Sequence, residues 1–119
     1  GSDCISFAVY GMRRMNREIP YIHPRRIYEY TSSISGEFYS QRNGVYCDSR
    51  GRPVSLDGIR RGDILYFKAH VAVFYMDGGI PGYLDRDDLV IHSIKTGAHV
   101  STIENCNYYE LPLEVLRWN

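Results

Sequence analysis

At 119 residues the chain has the length of a single domain, enough to bury a core without obligatory metal or disulfide support. Its 14 basic and 14 acidic residues cancel, which argues against a nucleic-acid binder that relies on a basic face. Hydrophobic residues make up 44% and charged residues 24%, ordinary for a globular domain, and no apolar run approaches the roughly 20 residues that span a bilayer.

The kinds of residue chosen say more than their totals. Lys68 and Lys95 are the only lysines, and the arginines that make up the rest carry a planar fork suited to carboxylates. A solvated charged surface accounts for most of them equally well. The eleven tyrosines fit either a wet, ligand-facing cleft or half-buried strands. Three cysteines leave at least one outside any intrachain disulfide. Cys47 and Cys106 are candidates for a bridge in an oxidising compartment, which would leave Cys4 as a thiol. No signal peptide is visible, although an opening on Gly1-Ser2-Asp3 is what a processed or trimmed start looks like.

In chain order, residues 4–16 read as an amphipathic helix. Ile5, Ala8, Val9 and Met12 share a stripe, Ser2 or Asp3 can cap the start, and Arg13, Arg14 and Arg17 complement the dipole at the end. Pro20 forbids continuation, and a second helix is expected from Pro24 to about Ser33. Glycines and Pro53 then loosen the pattern, with a hairpin over 44–56 turning at Ser49-Arg50-Gly51. Strands follow at 63–68, at 70–76 (nearly all apolar, hence central and covered on both faces), at 89–94 and at 98–103, and 113–118 closes the sheet. The expected class is α+β: an N-terminal helix on a mostly antiparallel sheet of about five strands.

Three residues in this layout carry chemistry. A thiol becomes a nucleophile as the thiolate, which a helix N-terminus or an imidazolium favours. Cys4 stands at the first turn of the expected helix, where unpaired N–H groups can also serve an oxyanion. Cysteine is equally a common core residue. His70 opens an apolar strand and His92 interrupts the next, positions costly for an ionisable ring without a partner. If those strands are neighbours, one ring can take the thiol proton while the other fixes its tautomer.

Asp3-Cys4, Arg61-Gly62-Asp63-Ile64-Leu65-Tyr66-Phe67, His70-Val71-Ala72-Val73-Phe74 and Val90-Ile91-His92-Ser93, taken in that order, resemble the NlpC-type cell-wall peptidases. These are bacterial papain-like cysteine peptidases with a Cys-His-His triad. The resemblance runs from Asp3 to about Ile103. It implies a papain-like fold and cleavage of an amide in peptidoglycan stem peptides, outside the cytoplasm and without a cofactor. It implies Cys4 as nucleophile, His70 as base and His92 as the residue orienting that base, with Asp3 and Ser6 at the substrate; Asp3 serves equally as a helix cap. The chain departs from its relatives in reading Asp-Cys-Ile-Ser where they read Asp-Cys-Ser-Gly, and in a longer segment between the two histidines, carrying Asp85, Asp87 and Asp88. Three rival readings stand beside this one. Cys4, His70 and His92 could ligate zinc, although the short ligand spacings of dedicated zinc sites are missing. The chain could be a non-catalytic cell-wall binding module. It could also use the same thioester chemistry on another amide or acyl acceptor. His23 and His99 read as surface histidines.

Overall fold

The computed structural model describes residues 24–119 apart from 69, 95, 96 and 108. The expected helix over 4–16, together with Asp3, Cys4, Ser6 and His23, lies outside the described residues. Within them the α+β, papain-like expectation is corrected: the chain forms mostly antiparallel sheet, with one short helix and two 3-10 turns. No helix among the described residues packs N-terminally on that sheet, and none is long and apolar enough to cross a membrane.

The strands are β1 Thr31–Ser33, β2 Ser40–Arg42, β3 Val45–Cys47, β4 Ile64–Tyr66, β5 Val71–Met76, β6 Leu89–Ile94, β7 Gly97–Thr102 and β8 Glu114–Trp118; helix α1 is Ile103–Cys106. Six of the strands form one sheet in the order β1-β8-β4-β5-β6-β7, every neighbouring pair antiparallel. The run β4 to β7 is a meander, as the alternating apolar segments and short turns predict. β8 returns to the far side of β4, and β2 and β3 pair separately.

Two expectations for the first half of the chain fail for local reasons. The helix expected over 24–33 is a 3-10 segment, Pro24–Glu29, closed by the Thr31 hydroxyl donating to the Ile27 carbonyl (2.9 Å). Thr31, Ser32 and Ser33 then pair with Trp118, Arg117 and Leu116, because ladder bonds to a buried strand outweigh their weak helical preference. The tight hairpin turns at Asn43-Gly44, both with positive φ (53° and 84°), rather than at Ser49-Arg50-Gly51. The later reversal exists, with Cys47 bridging Pro53 and the Asp48 carboxylate holding the Arg50 and Arg52 N–H groups, but it carries no ladder of its own. Cys47 and Cys106 are not joined in a disulfide.

The pleat sends alternate residues to opposite faces of the sheet, and each face has its own core. Leu65, Phe67, Ala72, Phe74, Val90 and Val115 point to one face, covered by Tyr46, Val54, Leu84 and Ile103. Ile64, Val71, Leu116 and Trp118 point to the other, covered by Ile27 of the 3-10 segment. Each fully buried large side chain here stabilises by about 1.5–3 kcal/mol. Asn107, 4% exposed, secures the exit from α1: its amide donates to the Tyr46 hydroxyl and the Leu111 carbonyl and accepts the Leu111 N–H.

Candidate functional site

β4 and β5 are joined by a connection so tight that the Phe67 N–H still bonds the His70 carbonyl (2.9 Å). Lys68 takes a left-handed conformation there, φ 69°, an unfavourable backbone state for a residue with a Cβ. The connection sets His70 immediately before β5, on the same face as Ala72 and Phe74 by the two-residue period. β6 lies beside β5, and Val90 belongs to the same core as Phe74, so His92, two residues on, shares that face. The two histidines of the sequence reading are thus brought together. Their ring centroids are 6.0 Å apart and nearly perpendicular (81°), and Phe67 stacks on His70 at 5.7 Å.

Both rings are half-buried. Burial, and secondarily the charge of His92, pushes His70 below the ordinary imidazole value of 6.5; burial, then the charge of His99, does the same to His92. Desolvation penalises the charged form, so both rings are neutral at neutral pH. A neutral imidazole held against a second one can accept a proton at one nitrogen while the other nitrogen is oriented. Cys4, Asp3 and Ser6 lie outside the described residues, so what the described structure contributes to the expected triad is the histidine pair.

The segment between the histidines holds what the sequence reading missed. Asp85 and Asp88 are 2% and 0% exposed, although both read as loop-edge residues. With Asp77 they form, among the described residues, the one cluster of His, Cys, Asp or Glu tight enough for a metal ion, with oxygens within 4.8 Å of one another. Those oxygens are already committed to the loop backbone. Asp88 accepts the N–H groups of Gly78 and Asp85 (3.0 Å each), Asp85 accepts those of Ile80 and Asp87 (2.7 and 2.9 Å), and Asp77 accepts that of Gly82 (2.7 Å). A Cβ on Gly79 would stand 2.0 Å from an Asp85 oxygen, so only glycine fits that approach. The cluster is a knot that closes the β5–β6 connection and thereby fixes where β6 presents His92. Its signal in the sequence was the Asp-Gly-Gly run followed by paired aspartates, which reads as a turn but not as burial.

Burial, reinforced by the Asp85 charge and a hydrogen bond with Asp77, raises the Asp88 carboxyl from 3.8 to about 7. A folded value above the unfolded one gives stability that is complete below the unfolded value and lost as pH rises through the folded one. The melting temperature is therefore expected to fall between about pH 4 and 7, and Asp88→Asn should flatten that slope even where it lowers stability overall. An unchanged slope in thermal melts of the variant would contradict this role for Asp88.

Among family models, curated proteins and solved structures, comparison with this chain finds no match.

Proposed function

We propose that this chain is a cysteine hydrolase that cleaves an amide bond in bacterial peptidoglycan stem peptides, outside the cytoplasm. Cys4 is its nucleophile, His70 its general base and acid, and His92 the residue that orients His70. The observation that carries the reading is the His70–His92 pair: two half-buried imidazoles from adjacent strands, 6.0 Å apart, both shifted toward the neutral form. Imidazole is costly to place in a half-apolar site without a task, and base with orienter is the arrangement a thiol nucleophile needs. The stem-peptide substrate comes from the sequence resemblance, and Asp3 and Ser6 are the residues proposed to meet it.

The steps follow from these roles. His70 takes the Cys4 thiol proton as the sulfur attacks the amide carbonyl, and the resulting oxyanion calls for backbone N–H donors. The tetrahedral intermediate collapses by breaking the C–N bond, and His70 returns the proton to the departing amine, leaving a thioester on Cys4. Water then gives a proton to His70 as its oxygen attacks the thioester, and collapse releases the carboxylic acid and restores the thiol. His92 keeps the His70 ring in the tautomer whose free nitrogen faces the reaction.

Incubation of defined stem-peptide fragments with wild-type protein and with Cys4→Ala, read by mass spectrometry, tests the whole reading. New fragments from the wild type alone are expected, their masses naming the bond. Equal fragment patterns with both proteins would remove Cys4 from the chemistry.

A further inference from the structure

Residue 99 reads from the sequence as a surface histidine after a turn. It is exposed, but the register gives it a particular neighbour: Ile94 pairs with Gly97, and His92 with His99. Residues directly opposed in an antiparallel pair send their side chains to the same face, with Cβ atoms about 4.5–5.5 Å apart. His70, His92 and His99 therefore form a row of imidazoles across β5, β6 and β7, with β7 at the sheet edge among the described residues. The row is graded in exposure: His70 and His92 are half-buried and His99 is open to solvent.

Charge couples the neighbouring rings along the row: a positive charge on His99 opposes a proton on His92, and a charge on His92 in turn opposes one on His70. Among the described residues, the titratable groups bearing on His92 are His70 at the start of β5 and His99 on β7. From the end of β4 the neighbouring ring is Phe67, which stacks on His70 and carries no charge. The three imidazoles do not gather their nitrogens into a metal-binding group, so their coupling is electrostatic.

We propose that His99 is a positioning residue of the same site: facing His92 across β6 and β7, it holds His92 neutral in mildly acidic medium, so that His92 continues to orient His70. The effect on turnover rests on the hydrolase reading above; the coupling between the rings rests on the strand register and on the lowering of His92 beside His99.

Histidine ring titration by NMR on the full chain, without substrate, separates the two. In His99→Gln the His92 midpoint is expected to move up toward the ordinary imidazole range, because the opposing charge is gone. In His99→Lys, which keeps a positive charge at that position, the midpoint is expected to stay low, an outcome a purely structural role would not produce. The acidic limb of kcat/KM for stem-peptide cleavage should move up in pH with His99→Gln and stay low with His99→Lys. A His92 midpoint identical in all three proteins overturns the inference, as does an acidic limb that ignores a shifted midpoint. A midpoint that moves as expected in a protein that cleaves no stem peptide supports the coupling and overturns the hydrolase reading.

Discussion

His70→Ala is expected to lower kcat/KM for stem-peptide cleavage by about 10²–10⁴-fold, the usual contribution of a positioned acid–base group. In the proposed mechanism the variant loses both the acceptor for the thiol proton and the donor for the leaving amine, so attack and collapse would be impaired together. Its fold should survive. His70 is half-buried at the mouth of β5, and the strand pairing through Val71–Met76 does not depend on its ring. His92→Asn should be milder, since an amide can still accept or donate to a neighbouring ring. In the proposed mechanism the wild type needs neutral His70, whose value is lowered by burial and the His92 charge. Activity is therefore retained at and above 6.5 and lost as pH falls through the lowered value, placing the acidic limb below the ordinary imidazole range. Near-normal turnover in a folded His70→Ala protein would contradict the assignment.

Arg117→Ala is expected to cost about 2–3 kcal/mol of stability, or roughly 10 °C in Tm for a chain of this size. Asp63 is 3% exposed, and the Arg117 guanidinium donates to both of its oxygens, from Nε and Nη2 at 2.8 Å each. The same guanidinium reaches the Gly58 carbonyl (3.1 Å), and Asp63 also accepts the Arg60 N–H (2.8 Å). These bonds tie the end of β8 to the start of β4 and to the loop before it. Removing the arginine strands a buried carboxylate with one backbone donor, which is why the loss exceeds that of a surface ion pair. The lower part of the range for buried pairs applies because the Arg117 side chain is 33% exposed. A Tm within 2 °C of wild type in calorimetry would show that Asp63 finds other partners.

The same Gly62-Asp63 step shows how much of this protein is legible in its sequence. The stretch 63–68 reads as a strand, and its centre Ile64–Tyr66 forms one, because its side chains alternate between two apolar cores. β5 and β8 are legible for the same reason, and the neighbouring of β5 and β6 that joins His70 to His92 follows from a meander of short connections. β1 is not legible. Three hydroxyl residues carry no apolar period, and only the buried partner strand β8 recruits them. The β2–β3 hairpin is legible in principle, since Asn43-Gly44 is the dipeptide that two-residue turns of positive φ prefer, but the glycines and Pro53 that follow spread the turn signal over 44–56. The helix-on-sheet expectation drew on periodicity confined to residues before 24, whereas the described chain spends its residues on sheet. His99 reads as surface because exposure follows from composition, but its partner follows only from exact register, where a one-residue slip would send it to the other face. Asp85 and Asp88 read as loop residues because nothing in their neighbours in the chain announces that carboxylates will bond the backbone of their own loop.

The central claim is that the His70–His92 pair serves the Cys4 thiol. The most direct measurement is the rate of Cys4 alkylation by iodoacetamide against pH, read by peptide-mapping mass spectrometry in wild type and in His70→Ala. Cys106, half-buried, serves as internal reference. The account predicts that wild-type Cys4 reacts faster than Cys106 at neutral pH and that His70→Ala returns Cys4 to the behaviour of an ordinary thiol, reacting only as pH approaches about 8.5. Identical Cys4 profiles in the two proteins would contradict it.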